Sequence, residues 1–232
     1  DVDSINTVVK GSQWQHIAVI YRRGESMTFY YNGKVVDTLA IQDVPLSAQN
    51  HELRIGAGSS DPLLYYAGLL DRLRFSDYAL SPSDLDSTPN PDASKDISVV
   101  FNFDRFEDLS FTDDSGYGMQ GVLITTDQIM TDSPSGKSGD TSLEFLGSEQ
   151  VVISDPEGLL NYPNDWTAEV WIKPHPFDIG RTNVEVVYTY GVPGGHSLQL
   201  TIPDSNDNTK LGVRGTAVGV LDMPSEVTRL DI

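Results

Sequence analysis

The chain is a succession of short runs rich in β-branched and aromatic residues, each cut off by Gly, Pro, Asn or Asp. Residues 14–21 (WQHIAVIY) alternate as a half-buried strand does, and a turn at Arg22-Arg23-Gly24-Glu25 leads to a second run at 27–31. Asn32-Gly33 then separates that run from a third at 34–39. Asn-Gly between two such runs is a strong hairpin signal, because both central residues of the tight turn need positive φ. Residues 51–57 and 68–75 continue the pattern, and 98–103, 142–145, 150–154, 167–173, 183–190, 196–202 and 210–214 repeat it. Many short strands with frequent turns predict an all-β, antiparallel sandwich or barrel with little helix. One helical turn is predicted at 81–85, where Ser81 is placed to cap, Pro82 takes the first position and Asp84 the third. Residues 86–96, rich in Ser, Pro, Asp and Asn, read as a linker between 1–85 and 97–232.

Charge and composition remove several functions. The chain carries 15 Lys and Arg against 34 Asp and Glu, a net charge of −19, which repels phosphate backbones and argues against nucleic acid as a partner. It has no cysteine, so disulfides, thiolate catalysis and cysteine-ligated zinc are excluded. No apolar run approaches the roughly 18 residues that cross a bilayer, so membrane insertion by a helix is not expected. No charged region followed by an apolar stretch opens the sequence. The charge is uneven. Residues 1–95 hold 8 basic and 12 acidic side chains, and residues 96–232 hold 7 and 22. Such an excess is either a solvated acidic surface or local clustering of carboxylates around a hard cation.

Several segments of the first part follow one another in a telling order: Trp14-Gln15-His16-Ile17-Ala18-Val19, the Tyr30-Tyr31-Asn32-Gly33-Lys34 hairpin, Leu53-Arg54-Ile55-Gly56-Ala57, Gly68-Leu69-Leu70-Asp71-Arg72-Leu73-Arg74-Phe75 and Ala79-Leu80-Ser81. Together they resemble the C-terminal half of a laminin-G-like, concanavalin A-like jelly-roll domain. The second part resembles the N-terminal half of the same family. It does so through Phe101-Asn102-Phe103-Asp104, the loop from Asp113 to Gly121, Ser142-Leu143-Glu144-Phe145 and the run from Trp166 to Pro174. The C-terminal half therefore comes first. Residues 2–10 and 221–231 also look loosely alike, as if the chain spanned one period of a tandem array. The resemblance implies a jelly-roll β-sandwich that is either one permuted domain or two half-domains of such an array. Half a sandwich exposes an apolar face and unpaired edges, so neither half should be stable alone, and a neighbouring copy of the domain or chain is an expected partner.

Candidate chemistry is concentrated in one loop. Asp113-Asp114-Ser115-Gly116-Tyr117-Gly118 places adjacent carboxylates beside glycines that let carbonyls turn inward. The resemblance implies a structural calcium here, with Asp113 at the family's aspartate and Asp114 where a Ser is usual. Gly116 and Met119 could add carbonyls, Asp71 would approach the same site, and Asp104 is a further candidate. The competing reading is a solvated turn. Asp204-Ser205-Asn206-Asp207-Asn208 opens like a calcium loop but lacks its Gly and final Glu, and reads as a polar hairpin loop.

Catalysis is not expected. Glycosidases on this fold use two carboxylates, whereas the strand from Glu169 to Lys173 offers only Glu169, read as a surface or family-pattern residue. His16, His51, His175 and His196 lack zinc-ligand spacing, and His16 reads as a packing residue. Tyr65, Tyr66, Tyr117 and Trp166 are the aromatics that could meet a glycan, with core packing as the alternative for each. Trp14 and Trp171 are assigned to the core. The sequence thus suggests a non-catalytic, calcium-stabilised structural or adhesive module of an extracellular or cell-surface protein. A carbohydrate-binding module is the alternative.

Overall fold

The computed structural model describes residues 9–40, 51–57, 65–85, 99–123, 128–155, 164–176, 185–191, 197–202 and 212–216. Before the linker lie β1 (Gln15–Arg22), β2 (Ser26–Tyr31), β3 (Lys34–Ala40), β4 (His51–Ile55) and β5 (Ala67–Ser76). After it come β6 (Val99–Phe101), β7 (Ser110–Thr112), β8 (Gln120–Val122), β9 (Ile129–Met130) and β10 (Ser142–Leu146). The series ends with β11 (Val151–Asp155), β12 (Trp166–Pro174), β13 (Glu185–Gly191), β14 (Ser197–Ile202) and β15 (Gly212–Thr216). One sheet runs β3-β2-β1-β12-β5-β10-β9, with β6 also paired to β5; the other runs β15-β14-β13-β4-β11-β8-β7. The ladders between these strands are antiparallel, as a sandwich of hairpins requires.

The first hairpin forms as its sequence predicts. Asn32 and Gly33 sit at φ 48° and 75°, the left-handed region that a two-residue turn demands. The Asn32 side-chain oxygen accepts the His16 amide at 2.9 Å, and the Asn32 amide donates to the His16 carbonyl at 2.8 Å. The turn is thereby tied to the start of β1. Alternation then sorts the strands. Ile17, Val19 and Tyr21 of β1 join Phe29, Leu53, Ile55, Leu70, Leu73, Phe101, Phe145, Ile153, Val170 and Ile172 in one core built from both sheets. Ala18 and Ile20 point to the opposite face, where Tyr30, Leu80 and Leu85 pack over them. The segment after β5 is therefore a clasp across the outer face of the first sheet. The Leu80 amide donates to the Thr167 hydroxyl at 3.0 Å, and that hydroxyl donates to the Tyr78 carbonyl at 3.0 Å. Within the clasp the predicted helical turn is a single 3-10 turn, Pro82–Asp84. Ser81 does not cap its backbone; its hydroxyl meets Ser83 at 2.7 Å and Asp84 at 2.8 Å.

Three expectations are corrected. Trp14 lies just ahead of β1 and is half-buried, with its indole N–H donating to Asp132 at 2.9 Å. Trp171 is buried, but on the outer face of the first sheet, tilted against His16 with ring centroids 5.3 Å apart. Both follow from register, because His16 and Trp171 are cross-strand partners while Ile17 and Val170 take the inner face. Glu169 is not a surface residue. It is buried on that outer face between His16 Nε2 at 2.9 Å and Arg74 at 2.5 Å. Here His16 packs as expected, with its Nε2 in hydrogen-bond contact with Glu169. The short strands β7, β8 and β9 were not predicted at all.

A candidate cation site at a fork in the sheet

The edge of β5 opposite β12 divides. Ala67 to Leu70 pair with β10, whereas Leu73 to Phe75 pair with β6. Between them lie Asp71 and Arg72. Arg72 takes φ 49°, and the β12 register slips between Glu169 and Trp171 opposite. Such a bulge re-aims side chains and ends one pairing before the next begins. The two diverging strands bring their own carboxylates to the gap, Asp104 just beyond β6 and Asp140 just ahead of β10.

Asp71 is fully buried, and neither of its carboxylate oxygens has a hydrogen-bond partner. Burial pushes its pKa from 3.8 up to about 9; the Arg72 guanidinium opposes this, and the nearby Asp140 and Asp104 carboxylates add to it. Asp140 is nearly as buried, and one of its oxygens is also without a partner. Burial raises it, but the Ser135 hydroxyl and Arg72, whose guanidinium donates to it at 2.7 Å, outweigh that and hold it below the usual carboxylate value. Asp104 stands at the solvent side, where one oxygen accepts the Thr141 amide at 2.9 Å. The Thr141 hydroxyl also donates to the Phe103 carbonyl. Three carboxylates thus share one guanidinium.

The residues fit a hard cation in one respect and limit it in another. A buried carboxylate whose oxygens lack hydrogen-bond partners is costly, and a cation removes that cost. Among the described residues, however, no group of three or more His, Asp or Glu side chains gathers at metal-ligand spacing. An ion at the fork would draw most of its shell from carbonyls and water.

The sequence-predicted residues separate into two places. Asp71 and Asp104 meet at the fork, together with Asp140, which the sequence reading missed. Its signal was Gly139-Asp140 just before the Ser142 strand, an ordinary-looking turn. Asp113 holds its own loop. It accepts the Tyr117 amide at 3.2 Å, the Met119 amide at 2.6 Å and the Ser115 hydroxyl. Gly116 and Gly118 adopt φ 91° and 76° to let the loop fold over it. The Met119 carbonyl accepts the Asp113 amide at 2.9 Å, and its side chain enters the core. Asp114 accepts the Asn102 amide at 3.0 Å, which ties the loop to the end of β6.

The candidate aromatics also separate. Tyr66 and Trp166 are core residues. Tyr66 donates to the Leu69 carbonyl at 3.0 Å, and Trp166 stacks on Tyr21 with centroids 5.4 Å apart. Both rings are enclosed by protein. Tyr65 is half-buried in a bridge to Ala57, and Tyr117 is 56% exposed. Residues 204–208 and His196 lie outside the described residues, as does the linker at 86–96.

Two face-to-face antiparallel sheets over one shared core define a concanavalin A-like β-sandwich. Residues 1–86 match the family Laminin_G_3, described as the concanavalin A-like lectin/glucanases superfamily. No curated protein and no solved structure matches the chain.

Proposed function

We propose that the chain is a non-catalytic structural module whose sandwich is locked by a calcium ion at the fork of Asp71, Asp104 and Asp140. The observation that carries this is the Asp71 carboxylate, fully buried with both oxygens unpartnered. An ion there would bridge the two strands that part at β5, and so stiffen the sheet without taking part in a reaction. Glu169, the one carboxylate on the β12 strand that a glycosidase reading could use, is engaged by Arg74 and His16, which supports a structural role. The acidic surface and the family of residues 1–86 support an extracellular or cell-surface setting, with neighbouring copies as partners. A glycan-binding reading rests on Tyr117, the one candidate aromatic with a large exposed face.

The test is thermal unfolding of the chelated protein with calcium added back. At a calcium level about 100-fold above Kd, binding adds about 2.7 kcal/mol. For a chain of this size that raises Tm by roughly 5–10 °C. Asp71→Asn should abolish the response. An unchanged Tm on chelation and re-addition counts against the ion.

A further inference from the structure

The two parts of the chain are not side by side; they are threaded through one another. In the first sheet β12 sits between β1 and β5, and β5 in turn sits between β12 on one side and β6 with β10 on the other. In the second sheet β4 sits between β13 and β11. Neither β4 nor β5 pairs with any described strand of its own part. Residues 15–40 form a three-stranded meander of their own, but the other two strands of the first part depend wholly on the second. Each part therefore leaves gaps one strand wide that the other fills.

The core follows the same division. Leu70 and Leu73 of β5 are enclosed by Phe101, Leu143 and Ile172 from beyond the linker, and Leu53 and Ile55 of β4 by Val151 and Ile153. Gly56 lies so close to Phe145 that a Cβ there would come within 2.4 Å of its ring, and a Cβ on Gly68 would come within 2.6 Å of the Lys173 carbonyl. Main-chain ladders supply the affinity of such an insertion, and these close approaches supply its specificity. The covalent tie between the parts is residues 86–98.

We propose that residues 1–85 and 99–232 are complementary binding partners, and that the occupant each one fits, besides the other part of its own chain, is that same part of a second copy. Exchange reproduces every strand pairing and every core contact, so the exchanged and closed forms differ only in the path of the connection. Reciprocal exchange gives a closed pair of chains. One-way exchange gives an open row, in which each sandwich is shared by two neighbours. This deepens the assembly part of the proposed function and is independent of the cation.

The experiment uses the full chain with a site-specific protease sequence placed within residues 86–96. The uncleaved variant is first matched to the parent in Tm and elution. Cleavage of the folded protein should leave two fragments that co-elute as one particle of the intact mass, 25.4 kDa. Nicked proteins with light and heavy isotopes are then mixed in urea and returned to buffer. Native mass spectrometry should show mixed pairs as abundant as unmixed ones, in chelator as well as in calcium. Fragments that part on cleavage, or that return only as aggregate, overturn the proposal. Should the inserted sequence itself perturb folding, the parent chain answers instead. Light and heavy copies refolded together at high concentration should yield a mixed-label dimer, and refolding solely to monomers overturns it.

Discussion

Replacing Glu169 with Gln should be among the most damaging single changes in this protein. The carboxylate is almost wholly buried and is held by Arg74 at 2.5 Å and His16 at 2.9 Å, both equally hidden from water. Gln keeps the shape but removes the charge, which takes the carboxylate at 2.5 Å away from the Arg74 guanidinium in a low dielectric. Breaking a buried pair in this way costs about 3–5 kcal/mol, against a total stability of about 5–15 kcal/mol for an ordinary domain. At roughly 2–4 °C per kcal/mol for a chain of this length, Tm should fall by about 6–20 °C. Calorimetry and urea titration check this together. The urea midpoint should drop with the slope unchanged, since the same surface is exposed on unfolding. The double variant Arg74→Met/Glu169→Leu should recover at least half of the loss, because it removes the guanidinium along with its partner. A Tm within about 2 °C of the parent for Glu169→Gln, or a double variant worse than the single one, would refute a buried ion pair on this face.

Gly68→Ala should cost at least about 2 kcal/mol in the urea titration, because its Cβ would press on the Lys173 backbone carbonyl and the Pro174 Cα at a φ of +151°. Asp113→Ala should cost about 1–3 kcal/mol through the stranded amides of Tyr117 and Met119. In chelator the protein should lose stability as pH rises from about 4 toward 9. Asp71 has its pKa raised to about 9 in the fold, so it holds a proton there that the unfolded chain has released. Its contribution is complete below the unfolded value and disappears as pH passes the folded one; Tm of the chelated protein at pH 5 and pH 8 checks the sign. For a glycan reading, Tyr117→Ala should remove any array signal and leave Tm unchanged, whereas Tyr66→Ala should lower Tm by unfolding the core.

Most of the sandwich was legible in the sequence because its strands advertise themselves by alternation. The β1 and β2 hairpin was legible down to its turn, since Asn32-Gly33 leaves few other conformations. The strands β7, β8 and β9 were not, because two or three residues are too few to show a period, and Gly121 in β8 has no side chain to show it with. Glycine is nonetheless needed there, since a Cβ would come within 2.3 Å of Phe111. Trp171 and Glu169 were misplaced for a related reason. Alternation assigns one face to the core and the other to water, but the outer face of this sheet is itself covered, in part by the clasp of Leu80 and Leu85. The candidate site was half legible. The family likeness brought Asp71 to the Asp113 loop and left Asp104 as a further candidate, whereas Asp71 meets Asp104 and Asp140 because β6 and β10 part at the Arg72 bulge, which the sequence does not announce. Asp113 looked like a ligand because aspartates that cap a turn and aspartates that hold an ion share the same glycine-rich surroundings.

Calorimetric titration of calcium into the chelated protein reads out a cation bound through Asp71. One ion should bind per chain and be competed by terbium, with no binding to Asp71→Asn and binding retained by Asp113→Asn. Retained binding in Asp71→Asn, or no heat of binding in the parent, would rule out a cation held by Asp71.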